Sequence, residues 1–415
     1  VNLHAGPPRA MARLTLRLVP LTPLHIGDGT EMRLDEYVLD EPSQGQRFDK
    51  WGEEIEEQAQ APKLCRFDQA KAMRAMTPAQ RSAFQHALDS GQLGEAARAL
   101  REAGRGAIVE RMPISRRSAA ELKKAFKDPL LRSGQVKPFI RSGGRLYIPG
   151  SSLKGAFRTA LASAALPRDC EPPGGWHDES ALSAALGLSS NDTTTDPLRF
   201  LHVEDAFLPE DATLIDQAEV MHLKNPAAGK AQMHYERTRA LTDGAKAPVF
   251  TVAIHLDGRA LDGRCVARQP ARFDLRLLLS RCRAFHLSLF NTEMARFFEG
   301  AVKARLLRLL RGHAGEGGRL PVTQQGWSPG FVLLRLGRFG HFESKSLEGV
   351  RRGHVPQATH PADRIRPPGA WGQTRTVTRD AAGNPIPFGW VIGWAVASPS
   401  GRDRSPASQD KEEHG

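Results

Sequence analysis

The chain has 415 residues and carries 58 Lys+Arg against 46 Asp+Glu, a net charge of +12. Such an excess favours a polyanionic partner, while no apolar run approaches the roughly 20 residues that a membrane-spanning helix needs. Four scattered cysteines (Cys65, Cys170, Cys265, Cys282) form no CxxC pair, so a zinc ribbon and a disulfide frame are both excluded and a cytoplasmic protein with reduced thiols is expected.

Residues 1–12 read as a leader, and no signal-peptide pattern precedes the first strand. Leu14, Leu16 and Leu18 then alternate with Thr15 and Arg17, the pattern of a half-buried strand. The strand runs into Pro20-Leu21-Thr22-Pro23-Leu24-His25-Ile26-Gly27-Asp28-Gly29, a turn whose glycines allow close approach of backbone to a ligand. His25 there reads first as a packed, hydrogen-bonded imidazole and second as a general acid or base. Leu34 to Asp40 reads as a short strand or hairpin edge.

Residues 68–128 switch to helical periodicity. Thr77-Pro78-Ala79-Gln80 is a capping-box start with proline at the first helical position. Ser90-Gly91 stops that helix, and another follows through Ala96 to Arg101. Strands are predicted at Val136–Ile140 and Arg145–Ile148, joined by the hairpin signal Ser142-Gly143-Gly144.

The most informative stretch is Tyr147-Ile148-Pro149-Gly150-Ser151-Ser152-Leu153-Lys154-Gly155-Ala156-Phe157-Arg158-Thr159-Ala160-Leu161. Leu153, Ala156, Phe157, Ala160, Leu161 and Ala164 recur as one apolar helical stripe, with Ser151 or Ser152 as the expected N-cap. Lys154 and Arg158, four residues apart, lie together beside that stripe. Free N–H groups at a helix start and two cations make an anion site, and a phosphate is the natural anion. It is not a Walker A loop, because Gly155 and not Ser or Thr follows Lys154.

Residues 167–198, rich in Pro, Gly, Ser, Asp and Thr, read as a surface excursion. Leu198–Phe207 and Val249–Leu256 read as strands, and the basic Lys224–Arg239 between them as a loop reaching over a nucleic acid. Phe273–Leu310 is helical, with a break expected near Ser288–Thr292, and its basic Lys303–Arg311 end is expected to pack on the core with its charges in solvent. Phe331–Leu336 is a strand entering Gly337-Arg338-Phe339-Gly340-His341-Phe342-Glu343-Ser344-Lys345-Ser346, which mixes glycine, cations and aromatics as single-stranded RNA binders do. Thr374–Thr378 and Gly389–Ala397 are expected to pair as a closing hairpin, followed by a polar tail from Ser398.

Taken together, the Leu21–Gly27 turn, the Tyr147–Leu161 motif and the late glycine stretch resemble the RAMP superfamily of CRISPR-associated proteins. The helical block and Asp196–Asp205 are most similar to the fifth subunit of the type III-A Csm effector complex. The resemblance implies an α+β fold: an RRM-like (ferredoxin-like) core over 13–60 and 130–260, a helical insertion at 61–129, a C-terminal lobe at 261–397 and a tail at 398–415. It implies a structural subunit that caps the 3′ end of a CRISPR RNA, takes part in its maturation, and meets target RNA and other RAMP subunits away from any membrane.

Carried over residue by residue, Ser151, Ser152, Lys154 and Arg158 match the helix start that meets the RNA backbone, and His25 and Gly27 match the first turn. Gly337, Arg338, Gly340 and Lys345 match the glycine-rich loop, whose usual run of glycines is interrupted by Arg338 and Phe339. Related backbone subunits cut target RNA with a loop aspartate, and Asp35 is the best match to it. No cofactor is expected for a scaffold. Magnesium is implied only under the alternative, a metal-dependent ribonuclease working through Asp35 or His25 on target or precursor RNA.

Overall fold

The computed structural model describes residues 11–40, 61–127, 134–166, 179–188, 195–223, 225–244, 247–258, 273–316, 331–353 and 370–396. Most of the expected leader, the tail and much of the 167–198 excursion lie outside the described residues, as do Cys170, Cys265 and Lys224.

The chain begins with β1 (Ala12–Pro20), whose alternation buries Leu16 and Leu18 and exposes Arg17. β2 (Tyr37–Asp40) and β3 (Lys63–Phe67) follow, then α1 (Gln69–Ala75), capped by Asp68. α2 (Pro78–Asp89) has the predicted capping box, with Thr77 and Gln80 each bonding the other's backbone, and it stops before Gly91 at φ +68°. After α3 (Leu93–Gly104), the strand β4 (Ile108–Pro113) interrupts the expected all-helical block, and α4 (Arg116–Ala125) starts on a Ser115 cap. β4 completes a β2-β3-β4 sheet, so the insertion is itself a small α+β unit.

β5 (Val136–Lys137), β6 (Arg141–Ser142) and β7 (Arg145–Ile148) lead into α5 (Gly150–Ala165), and Gly143 and Gly144, both at positive φ, turn the β6–β7 hairpin. The predicted 136–140 strand is thus only two residues long. It pairs parallel with β11 and not within the hairpin. Beyond α6 (Glu179–Leu186), β8 (Leu201–Val203) and β9 (Ala206–Phe207), the chain makes its longest strand pair, β10 (Thr213–His222) and β11 (Asn225–Thr238). The basic loop expected at 224–239 is therefore a strand, and its Arg237 is buried between Asp216 and Asp243 at 2.7 and 2.9 Å.

β12 (Phe250–Leu256) precedes α7 (Leu275–Phe297). α7 runs unbroken through Ser288–Thr292, because Leu289, Phe290 and Met294 keep the core-facing stripe in register there. The interruption falls ten residues later, at Gly300 with φ +57°, where α8 (Gly300–Glu316) begins. Leu306 and Leu310 of α8 are buried and Arg308 and Arg311 are exposed, as expected, whereas Arg305 departs from the expectation of charges in solvent by bonding Asp380 and the Thr242 carbonyl. β13 (Phe331–Arg335), β14 (Thr374–Arg379), β15 (Pro385–Pro387) and β16 (Trp390–Val396) complete the chain.

The main sheet has the antiparallel order β13-β16-β1-β12-β8, and the second has the order β15-β14-β10-β11-β5. β14 pairs with β15 across Asp380–Asn384, whereas β16 pairs with β13 and β1. The expected 374–378/389–397 hairpin is therefore replaced by a crossing between sheets at Phe388–Gly389. One core joins the main sheet to α5 and α7: Leu16, Leu18, Ile254, Leu334 and Val391 pack with Leu153, Phe157, Leu161, Leu289 and Phe290. Each such side chain contributes roughly 1.5–3 kcal/mol on burial. The C-terminal lobe lends β13 and β16 to this sheet, so it shares the core of the RRM-like half.

Candidate nucleic-acid interface

Three segments far apart in sequence are tied together by backbone bonds at the end of the main sheet. Leu21 and Thr22 donate to the Trp390 carbonyl at 2.9 and 3.1 Å, Gly389 donates to Pro23 at 2.6 Å, and Arg338 donates to His25 at 2.9 Å. Gly337 (φ +83°) makes this approach possible, since a Cβ there would lie 2.5 Å from the His25 oxygen. Above them opens a groove of about 640 Å³ walled by the Gly27–Thr30 turn, the start of α5 and the Gly337–Lys345 loop.

The start of α5 differs from the expectation. Pro149 is the N-cap and neither serine caps the helix. Instead the Asp205 carboxylate accepts from the Gly150 N–H at 2.7 Å. Gly150 is dictated by space, because a Cβ there would sit 2.1 Å from the Val203 carbonyl oxygen. Released from capping, Ser151 and Ser152 line the groove, with Ser151 exposed. At about 100° per residue, residues 151, 152, 155, 156, 158 and 159 fall on one face and all line it. Lys154 falls at the margin beside Arg158, half-buried and outside the lining.

Five cations line the groove (Lys137, Arg158, Arg335, Arg338, Lys345) and no carboxylate does, among the described residues. Three of the five are committed within the protein: Lys137 pairs with Glu31, Arg158 with Asp196 at 2.6 Å, and Arg335 with buried Glu293. Arg338 and Lys345 are exposed and have no ion pair among the described residues. Desolvation of the Lys345 stem, with Arg338 and Arg335 nearby, holds its ammonium below the ordinary lysine pKa. Gly340 is buried below the groove, where a Cβ would come within 2.8 Å of the Ser344 hydroxyl. It shapes the loop and does not line it.

His25 is buried beneath the turn at 1% exposure, its Nδ1 2.7 Å from the Glu236 carbonyl and its ring edge-on to Tyr235. Burial pushes its pKa down to about 4, so the ring is neutral near pH 7 and donates to that carbonyl. The packed-imidazole reading fits this geometry. His234, His286 and His341 are held low in the same way, at about 4, 3 and 3. The unfolded chain binds these protons first, so the stability is present above pH 6.5 and lost as pH falls towards 4. His25 alone should account for about 2 kcal/mol at pH 5. Urea unfolding at pH 7 and pH 5 should show a lower midpoint at pH 5, and a smaller difference in His25→Gln. A profile flat over that range would overturn the buried neutral state.

Asp35 lies apart from the groove lining. It is half-buried, with its carboxylate 3.6 Å from Arg33 Nε and accepting from Gln69 Nε2 at 3.3 Å. No group of three or more His, Cys, Asp or Glu is placed to hold a metal ion among the described residues. The sequence motifs missed Lys137 and Thr30, both of which line the groove. Lys137 reaches it only through the parallel β5–β11 pairing, for which no local pattern exists.

The RAMP superfamily model matches residues 17–210, from β1 through the α5 motif to β9. No curated protein matches the chain by sequence. Among solved structures, a chain from a cryo-EM structure of a Csm–crRNA–target RNA ternary complex of a type III-A CRISPR-Cas system aligns at TM-score 0.57 and 18% identity, over 92% of this chain and 100% of that one. The crystal structure of T. onnurineus Csm5 aligns at TM-score 0.51 and 18% identity, over 91% and 99%. At that identity the likeness is one of fold. It runs nearly end to end in both comparisons, and over the motif-bearing stretch from β1 to β9 the chain is similar to the RAMP superfamily.

Proposed function

We propose that the chain is a CRISPR-RNA-binding structural subunit of a type III-A interference complex, seated at the 3′ end of the RNA and taking part in its maturation and in antiviral defence. The observation that carries this reading is the convergence of three distant glycine- and cation-bearing segments on one carboxylate-free groove. The Ser151 and Ser152 hydroxyls, Arg338 and Lys345 suit phosphates and 2′-hydroxyls, which leaves bases turned outward for pairing with target RNA. Neighbouring RAMP subunits would continue the same RNA track. The setting of such a complex is the cytoplasm.

The test is fluorescence anisotropy with a labelled single-stranded RNA across a salt series. Affinity should fall steeply with salt. Arg338→Ala with Lys345→Ala should weaken binding about 100-fold at low salt, as expected for two charge-assisted contacts. The salt slope should also shrink by about 1.4. Binding unchanged in a folded double variant would refute the assignment of the groove. Incubation with magnesium addresses the ribonuclease alternative, since RNA cleavage that disappears in Asp35→Ala would replace the scaffold reading.

A further inference from the structure

A second cationic cleft lies outside the groove, in the insertion unit. It encloses about 410 Å³ between the open edge of β2, the length of α3 and the end of α4. Arg98 and Arg101 on α3 and Arg105 at its C-cap, still in helical conformation, stand three and four residues apart, so all three project from one face. Lys123 of α4 and Phe126 at its C-cap form the opposite wall. Asp40 and Glu102 also line the cleft, and Glu102 is engaged by Arg98 at 3.5 Å.

Two of these guanidinia make no ion pair among the described residues, although Asp35 and Glu102 lie near enough to Arg101 to favour its charge. Arg105 is exposed and unpaired. Arg101 is half-buried, lies over the Phe126 ring at 4.5 Å and spends one N–H on the Leu34 carbonyl at 3.3 Å. Burial holds the Arg101 guanidinium below its ordinary pKa, the state of a cation that an incoming anion would relieve. Planar forked donors in a row match phosphate oxygens better than single lysines do.

We propose that this cleft is a second RNA-phosphate site, separate from the groove, which grips the backbone of a single strand longer than the groove alone can hold. The proposal rests on the RNA-binding reading above. Continuity supports it, since residues 27–40 connect the two: Gly27, Gly29 and Thr30 line the groove, and Val38, Leu39 and Asp40 line the cleft. Between them Met32 and Val136 exchange backbone bonds at 2.7 and 3.0 Å, which fixes the segment between the two sites. An acidic protein segment is the competing occupant.

The experiment uses the full chain, with Arg98→Gln plus Arg105→Gln as the variant. Both residues are exposed, so thermal unfolding should match the parent. Anisotropy is read for single-stranded RNAs of about 8 and about 30 nucleotides, the shorter sized for one OB-fold-like site, with an unlabelled polyglutamate peptide as competitor. The expected result is weaker binding of the long RNA by at least tenfold, a salt slope smaller by about 1.4, and an unchanged short RNA. Equal affinities for both lengths in parent and variant would overturn the proposal. So would polyglutamate binding that the variant abolishes while RNA binding stays intact. The groove variant at Arg338 and Lys345 separates the two readings. If it leaves RNA binding intact while the α3 variant lowers it, the groove assignment fails and the cleft stands. If the parent binds neither RNA, both fall.

Discussion

Replacing Glu293 with alanine is expected to destabilise the chain by about 3–5 kcal/mol, because it leaves the buried Arg335 without a carboxylate and Arg375 with only one. Glu293 Oε1 forms an ion pair with Arg375 Nε at 2.8 Å, and Oε2 accepts from Arg335 and from the Trp390 indole N–H, the latter at 2.7 Å. Arg375 also reaches Glu343 at 3.0 Å, and Arg351 bonds the Glu343 carbonyl at 2.7 Å. All of these side chains are at most 5% exposed. The network links α7 to β13, β14 and β16 and carries the Gly337–Lys345 loop on its outer side. Its two arginines hold the Glu293 carboxyl below the usual carboxylate range despite its burial. The stability it contributes is therefore present above that range and is lost as acid protonates it in the folded state. Urea unfolding followed by circular dichroism measures the loss, and Glu293→Gln, which keeps shape and one acceptor, should lose less. A change under 1 kcal/mol for the alanine variant would show that the arginines find other partners.

Gly337→Ala should couple a loss of stability to a loss of RNA binding. Its Cβ would meet the His25 carbonyl oxygen at 2.5 Å and a Leu24 methyl at 2.7 Å, at a φ of +83° that alanine resists. Strain of this kind costs about 1–3 kcal/mol, and its relief must break the Arg338 N–H···O bond to His25. Arg338 then leaves the groove wall, and RNA affinity should fall at least as far as in Arg338→Ala alone. Gly383 is the control, with φ +82° and nothing within 4 Å of an added Cβ, in the β14–β15 turn away from the groove lining. Gly383→Ala should cost about 1–2 kcal/mol and leave RNA binding near that of the parent. Equal RNA affinities for Gly337→Ala and the parent would separate the loop from the groove.

Elements set by local rules were legible in the sequence. The β1 alternation, the Thr77–Gln80 capping box and the apolar stripe of α5 each need only neighbours in the chain. The β10–β11 pair was not legible, because its buried side chains include Asp216, Gln217 and Glu219 on one strand and His234, Glu236 and Arg237 on the other. Glu236 is neutralised by a bidentate Arg141 and further bonded by Thr213 and Phe139, and Glu219 is met by Arg117 and Arg379. An interior of paired charges hides the period-two signal that an apolar face would give. The site was legible in its parts, through glycine and cation composition. Its correct cap was not, since Asp205 lies 55 residues from Gly150.

The sheet crossing at Phe388–Gly389 has a further consequence for biosynthesis. The Trp390 N–H bonds the Thr22 hydroxyl across 368 positions, and Leu336 donates to Gly389 at 2.8 Å. The floor of the groove is thus assembled from segments 368 positions apart, and loop closure on that scale makes folding slow. A polypeptide still emerging from the ribosome holds the α5 motif but lacks the piece that locks the first turn and the glycine loop together. Nascent chains released early would carry the signature residues without a place to grip RNA, so synthesis must pass Trp390 before the groove can form.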